Sequence, residues 1–218
     1  MRGNGRDIFV VILGTCAYGL ALGLWRSPQM AFYVSVKLPV VFVGTTVLVS
    51  VFSWMSALLS GTEMRYRDVL EYMFSAISVA ARILLALTPV VLFLILSGAP
   101  TVGSRAELRF AHSCLMLTHL AVLAGAGVVG NLRLYADLKT SRKDQGVPLA
   151  LLGCWLAAFA VTGCQVGWMM RPLVGSPNIK VEFLRADALR GNVIESLSSQ
   201  IIPHFINRGT LKNKGAVK

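Results

Sequence analysis

Charged side chains are scarce in this chain of 218 residues, because Asp, Glu, Lys and Arg together make up only 14% of it. A soluble domain carries about 25% charged residues. Since 55% of the residues are hydrophobic as well, the chain has too few charges to cover a surface that faces water. The scarcity of charge therefore argues against a soluble domain and favours a protein whose largest surface faces lipid.

Acidic residues are the scarcer of the two charge types, with 10 Asp and Glu against 21 Lys and Arg, and the formal net charge is +11. A soluble protein with this excess could bind nucleic acid. Here the cations flank long apolar runs, so we expect them to meet the anionic lipid surface, and we expect no nucleic-acid partner.

Paired cysteines and the usual catalytic motifs are missing from the sequence. No two of the four cysteines have CxxC spacing, and all four lie within apolar runs: Cys16, Cys114, Cys154 and Cys164. This pattern argues against structural disulfides and against a zinc site. The sequence also has no recognisable nucleophile–base pair, paired carboxylates or P-loop, so we expect no enzymatic activity, no metal and no cofactor.

Long apolar runs are what the sequence does contain. Each is about 18–24 residues long, which is enough for a helix to cross ~30 Å of hydrocarbon. Backbone polar groups in lipid must be satisfied within the protein, and nothing in the sequence indicates barrel strands. We therefore predict an all-α bundle of five transmembrane helices within residues 1–170. The expected spans are 8–25, 39–59, 74–97, 110–130 and 149–170.

The chain after the last span predicts a segment that lies on the membrane surface, residues 171–207. Three helix-breaking residues turn the chain there: Pro172, Gly175 and Pro177. Asn192 and Glu195 have the spacing of a capping box, which predicts a short amphipathic helix over Val193–Ile202. Residues 208–218 have few apolar groups and are predicted to form a basic, disordered tail.

The distribution of cations between loops predicts the orientation of the bundle. An odd number of spans places the two termini on opposite sides, and cytoplasmic loops carry more Lys and Arg. The amino-terminal side has the larger set: Arg2, Arg6, Arg65, Arg67, Arg133, Lys139, Arg142 and Lys143. The short loops opposite have the smaller one: Arg26, Lys37, Arg105 and Arg109. The carboxyl-terminal segment adds cations to that second side, but the dense basic loop before residue 148 favours a cytoplasmic amino terminus.

A permanent cation, Arg82, lies inside the third apolar run. It ends a helical stripe with Glu71, Ser75 and Ser78, about 16 Å along the helix from Glu71. An unpaired arginine that faces lipid costs roughly 2.5–3.5 kcal/mol. Because no acid lies inside another predicted span, we expect Arg82 to use backbone carbonyls, serine or histidine acceptors, or a lipid phosphate. It either lines a polar cavity or fixes the depth of its helix.

Two histidines, His112 and His119, lie seven residues apart on one face of the fourth span. A metal pair or proton relay would need closer spacing or a partner carboxylate, so we expect interhelical hydrogen bonds instead. Small residues predict close helix packing at Gly125 and at the G-x-x-x-G pair Gly163 and Gly167. A polar stripe on the second span either lines a path or lets helices share hydrogen bonds: Thr46, Ser50 and Ser53.

Two stretches, residues 17–46 and 163–197, carry recognisable motifs. The first has the pattern YGxxxGxxR followed by K-x-P, and the second has W-x-x-RPxxGSP followed by GN. The chain thereby resembles a family of uncharacterised bacterial five-span inner-membrane proteins, and in span number alone it is similar to Yip-type proteins. The matching residues are Tyr18, Gly19, Gly23, Arg26, Lys37, Pro39, Trp168, Arg171, Pro172, Gly175, Ser176, Pro177, Phe183, Arg185, Gly191 and Asn192. The resemblance implies a bacterial inner membrane and no particular activity.

Several cations near these motifs fall on one face of the predicted bundle. We call them the basic collar: Arg26, Lys37, Arg171 and Arg185. They are expected to contact lipid phosphates or the acidic surface of a partner, with Trp25 and Trp168 as anchors in the headgroup region.

Taken as a whole, the residues predict a non-catalytic structural, assembly or partner-binding subunit. It would bind other membrane-protein subunits or a second copy of itself through its small-residue faces. The alternative is a small transporter or lipid-handling protein with a polar cavity around Arg82. An intramembrane enzyme that uses His112 or His119 is the third hypothesis.

Overall fold

The structure is a computed structural model that describes residues 4–98, 105–140, 149–171 and 181–184. In this part of the chain the regular secondary structure is helical throughout, which confirms the predicted all-α class. The helices are α1 (Asn4–Leu24), α2 (Pro28–Leu59), α3 (Tyr66–Gly98), α4 (Arg105–Thr140) and α5 (Leu149–Met169). All five are long and apolar enough to cross a membrane, so the chain is a multi-pass membrane protein.

Three helices extend well beyond the predicted spans, and α2 shows why. It begins at Pro28 rather than near Pro39, which lies inside the helix. The hydroxyl of Ser27 caps the amino end by accepting a hydrogen bond from the backbone N–H of Met30 at 3.1 Å. Pro28 suits the first turn because it has no N–H to leave unpaired.

The extension of α3 has a different cause. Its first turns, from Tyr66, are too polar to count as a membrane span. They are nevertheless helical, and the guanidinium of Arg67 donates to the carboxylate of Glu71 one turn later at 3.1 Å. Apolar length therefore predicts the membrane-crossing part of a helix but not where the helix begins.

The first helix packs closely against two neighbours because of its glycines. A Cβ atom added at Gly23 would lie 2.5 Å from the Cα of Ala31 on α2. One added at Gly19 would lie 2.7 Å from the carbonyl oxygen of Val34, also on α2. Gly14 meets the backbone of α3 in the same way. Helices in lipid associate through such close backbone contacts, so these glycines join α1 to α2 and α3.

The glycines that the sequence singled out for packing behave differently. At Gly125 an added Cβ would meet nothing within 4 Å among the described residues, so the described helices make no close contact there and its packing role stays a prediction. Gly130, five residues later, is the one that packs closely, because a Cβ added there would lie 2.8 Å from the carbonyl oxygen of Ala76 on α3. A Cβ added at Gly163 would lie 3.7 Å from Cγ2 of Thr45 on α2, which is an ordinary contact distance.

The bundle is built around α1, α2 and α3, which pack against one another, with α4 against α3 and α5 against α2. A core cluster near the turn between α1 and α2 joins the first four helices, and its members include Tyr18, Leu22, Leu38, Leu84 and Leu115. A second cluster at the opposite end of the bundle joins α2, α3, α4 and α5. Its members include Ala57, Met73, Leu134 and Trp155. Most of the apolar surface of α4 and α5 faces outward.

We predict that Gly23→Ala destabilises the bundle, because its Cβ would force the backbones of α1 and α2 apart. Overpacking of this kind costs about 1–3 kcal/mol. The matched control is Gly125→Ala, which enters open space and removes a helix-destabilising glycine, so its stability should be unchanged or slightly higher. Thermal unfolding of the purified proteins in detergent measures both, and an equal loss in the two variants would contradict the close contact at Gly23.

Candidate functional site

The arginine inside α3 has a carboxylate partner on α1. The Nη2 atom of Arg82 lies 3.4 Å from Oδ1 of Asp7, in the first turn of α1. The Arg82 side chain is 54% exposed and the Asp7 side chain 20% exposed, so the pair lies on the outer surface between the two helices. The prediction that Arg82 has no carboxylate partner is therefore wrong. It considered only acids inside the apolar runs, and Asp7 comes just before the first run.

The serines of the same stripe connect α3 to α4. Ser78 is buried and donates its hydroxyl to the carbonyl of Ser75 at 2.8 Å. The hydroxyl of Ser75 donates in turn to Oδ2 of Asp137 at 3.2 Å, and the same oxygen accepts from Nε of Arg133 at 3.1 Å. Asp137 was missed for the same reason as Asp7, since it lies beyond residue 130, where the fourth span was expected to end.

The two histidines of α4 face two aromatic residues of α1. His119 is 7% exposed, its Nδ1 lies 3.2 Å from the hydroxyl of Tyr18, and the two rings stack with centroids 5.5 Å apart. His112 meets Trp25 with centroids 5.4 Å apart. The two aromatic residues are seven positions apart on α1, and the two histidines are seven positions apart on α4, which runs antiparallel to α1. The two ring pairs therefore form one continuous contact between these helices, which we call the histidine ladder.

Trp25 packs within the bundle, since it is only 5% exposed and belongs to the core cluster near the turn between α1 and α2. A tryptophan at a helix end is typical both of such packing and of the headgroup region, so its role as an anchor stays a prediction.

The polar stripe of α2 is used in helix packing. Ser50 is fully buried, donates to the carbonyl of Val47 at 2.7 Å and lies 3.1 Å from the hydroxyl of Tyr66 on α3. Thr46 donates to the carbonyl of Phe42 at 2.6 Å. Thr46 and Ser50 are thus bonded within α2, and Ser50 also reaches α3, whereas the buried hydroxyl of Ser53 has no hydrogen-bond partner among the described residues.

Three residues that could have lined one cavity are held in separate places. Arg82 pairs with Asp7, Ser50 contacts Tyr66, and His119 contacts Tyr18. Among the described residues, no group of three or more His, Cys, Asp or Glu side chains is placed to hold a metal ion. Each of these three polar side chains contacts a residue of a neighbouring helix.

The residues of the basic collar have different environments. Arg26 is exposed at the end of α1. Arg171 lies over the ring of Trp168, 3.3 Å from its centroid, and its Nε donates to the carbonyl of the same residue at 2.9 Å. Arg185 lies outside the described residues.

The fourth collar residue requires a correction. Lys37 is completely buried on α2, with its Nζ atom 5.1 Å from the centroid of the Phe183 ring. It was predicted to lie at the surface because α2 was expected to begin two residues later. Instead, α2 starts nine residues before Lys37, and chain from beyond the last span covers the side chain.

No protein-family model, curated protein or solved structure matches this chain. The resemblance to bacterial five-span inner-membrane proteins stays a prediction from its two motifs.

We predict that Asp7→Asn and Arg82→Leu each destabilise the protein, because each leaves one charge unpaired at the lipid-facing surface. The upper limit is about 2.5–3.5 kcal/mol, the insertion cost of an arginine at the centre of a membrane helix. The double variant Asp7→Asn, Arg82→Leu should recover most of the loss, since neither charge remains. Thermal unfolding in lipid nanodiscs gives the four values of this cycle.

The control for that cycle is Arg67→Leu. It breaks a pair whose arginine side chain is 64% exposed, and such pairs contribute about 0–1 kcal/mol. Additive losses in the double variant, with no recovery, would show that Arg82 and Asp7 are not coupled.

Proposed function

We propose that this chain is a non-catalytic structural, assembly or partner-binding subunit of a bacterial inner membrane, with its amino terminus in the cytoplasm. The observation that carries the proposal is how the polar groups within the spans are used. Arg82, Ser50 and His119 each contact a neighbouring helix at a different place. A transporter would need such groups around one shared path, whereas a scaffold needs them to fix how its helices pack.

The outward face of α4 offers a surface for a partner helix. Apolar side chains at helical spacing are exposed along it: Leu117, Val128 and Leu132. Between them lie Ala121 and Gly125, which are small, exposed and one turn apart, and a Cβ added at Gly125 would meet no described residue within 4 Å. Small residues one turn apart allow two membrane helices to approach closely, so we assign the packing role of Gly125 to a contact with another membrane subunit or a second copy.

Two residues of the basic collar, the exposed Arg26 and the half-buried Arg171, support contact with anionic headgroups or with an acidic partner surface. Arg26 and Arg171 end α1 and α5, and the alternation of spans places both on the same face of the membrane. A cation near an anionic membrane surface contributes about 1 kcal/mol of attraction. On this proposal, the collar holds the bundle at one depth while α4 meets its partner.

A lipid-handling protein or small transporter is the second candidate, and one observation favours it. The Arg82 side chain is more than half exposed on the outer surface, where its guanidinium could reach a lipid phosphate. If Arg82→Leu abolished solute or lipid movement in reconstituted vesicles while the co-purifying complex stayed intact, this candidate would replace the scaffold.

We predict that Gly125→Leu abolishes recovery of the co-purifying membrane partner or second copy, because the leucine side chain holds the two helices apart. The measurement is affinity purification of the tagged chain in mild detergent, followed by mass spectrometry and crosslinking. Gly153→Leu is the matched control, since this glycine on α5 is also exposed and also has open space around it. A wild-type chain that purifies alone, or an equal loss in both variants, would contradict the assignment.

We predict that the double variant Arg26→Gln, Arg171→Gln weakens binding of phosphatidylglycerol by about 10- to 30-fold, from about 1 kcal/mol per cation removed. Native mass spectrometry in detergent counts the bound lipids, and the difference should shrink as salt rises. The control Arg65→Gln, Arg67→Gln removes the same charge from the opposite face. Equal weakening in both variants would mean that net charge, not the collar, attracts the lipid.

A further inference from the structure

The ion pair between Arg82 and Asp7 is loose and open to the outside of the bundle. Nη2 of Arg82 and Oδ1 of Asp7 are 3.4 Å apart, and more than half of the arginine side chain is exposed. Among the described residues no other group bonds to either side chain. Most N–H donors of the guanidinium and the second carboxylate oxygen are therefore available to a ligand, side by side on the outer surface.

The packing of α1 on α3 shows the direction in which the Arg82 side chain extends. A Cβ added at Gly14 would meet the backbone of Ala81, so these two residues lie at the same level. Asp7 comes seven residues before Gly14 and is about 10 Å nearer the amino end of α1. To reach it, the Arg82 side chain extends toward the amino end of its own helix, which is the direction that a helical Cα–Cβ bond takes.

The amino end of α1 also marks the boundary of the hydrocarbon. The candidate span Gly5–Leu24 has 20 residues, which rise about 30 Å and match the thickness of the hydrocarbon. Asp7 lies about 3 Å from the first of them, so the ion pair is at the level where lipid headgroups begin. A long cationic side chain that starts inside the hydrocarbon extends to this level to place its charge among polar groups.

The carboxylate of Asp7 determines which headgroup fits beside Arg82. A headgroup with negative charge alone would be attracted by the guanidinium and repelled by the carboxylate. A headgroup with a primary ammonium beside its phosphate can satisfy both side chains, because an ammonium donates charge-assisted hydrogen bonds to a carboxylate. A quaternary ammonium carries the same charge but has no N–H to donate. The pair therefore favours a zwitterionic headgroup with a primary amine.

We propose that Arg82 and Asp7 form a binding site for one phospholipid whose headgroup holds both a phosphate and a primary ammonium, as phosphatidylethanolamine does. The guanidinium donates to the phosphate, the ammonium donates to the second oxygen of Asp7, and the ion pair stays intact. The site lies on the membrane face opposite the basic collar, so the two faces select different lipids. It goes beyond both candidate functions, since it requires neither a partner subunit nor movement of lipid.

The test is native mass spectrometry of the full chain in detergent, with phosphatidylethanolamine, phosphatidylcholine or phosphatidylglycerol added. The double variant Asp7→Asn, Arg82→Leu removes the site without changing the net charge. It should bind phosphatidylethanolamine on the order of tenfold more weakly, the fold-change expected from losing one hydrogen bond to a charged group. Binding of phosphatidylcholine should change much less. Unchanged binding of phosphatidylethanolamine, or an equal loss of both lipids, would overturn the proposal.

The single variant Asp7→Asn tests the role of the carboxylate by itself. It keeps an acceptor oxygen and removes the charge that repels a purely anionic headgroup. The preference for phosphatidylethanolamine over phosphatidylglycerol should therefore fall, while Arg82 still binds phosphate. An unchanged preference would show that Asp7 does not select the headgroup. Size-exclusion elution checks that each variant remains folded.

Two further variants test where the lipid binds. Arg67→Leu, Glu71→Gln removes another exposed ion pair without changing the net charge, but this pair lies in the polar first turns of α3. Arg133→Leu breaks a pair on α4 whose arginine side chain is exposed to a similar degree as that of Arg82. Both variants should bind phosphatidylethanolamine as the unaltered chain does. A loss in either one equal to that of the double variant at Asp7 and Arg82 would overturn the site.

A soluble competitor distinguishes a lipid site from a site for the free headgroup. Glycerophosphoethanolamine has the same phosphate and ammonium but no acyl chains, so it should displace the lipid only at far higher concentration. Displacement at equal concentration would overturn the lipid assignment in favour of a soluble ligand. None of these outcomes bears on the partner contact at Gly125, so the site and the proposed scaffold function can fail separately.

Discussion

The rest of this structure depends on one constraint, which is that polar groups inside a membrane must find partners within the protein. The polar contacts that cross between helices meet this constraint and also join two helices. Arg82 reaches Asp7 on α1, Ser75 reaches Asp137 on α4, and His119 reaches Tyr18 across the histidine ladder. Because these partners lie on different helices, satisfying them also fixes which helices are neighbours.

Attraction between the helices needs a second source, since lipid is as apolar as the side chains and little hydrophobic effect draws them together. The glycines of α1 supply it by letting backbones approach, with Gly14 directed at α3 and Gly19 and Gly23 at α2. Dispersion forces depend steeply on distance, so close backbones gain most from them. Close packing by α1 and the polar contacts thus act together: the first brings helices near, and the second selects their register.

The five helices could be predicted because apolar length is a local property of the chain, readable run by run. The residues that pair across helices could not be predicted, because an interhelical contact depends on how two helices are aligned. Asp7 and Asp137 lie just outside the apolar runs, so a search restricted to those runs missed them both. The glycines of α1 were visible as the spacing Gly19 to Gly23, but the sequence did not say which of several small-residue faces would be used inside the chain. Lys37 was misplaced because its cover comes from the far end of the sequence.

The inner and outer faces of the bundle therefore use small residues differently. On α1 every close-contact glycine meets a helix of the same chain, whereas on α4 Gly130 meets α3 and Gly125 faces outward. A glycine inside a helix weakens it relative to alanine, so an outward glycine has a cost with no return within the monomer. The cost is balanced if another helix packs there. An outward small-residue face at Gly125 suits the proposed scaffold or partner-binding function, whereas a transporter that acts alone would have no use for a close-packing face directed at lipid.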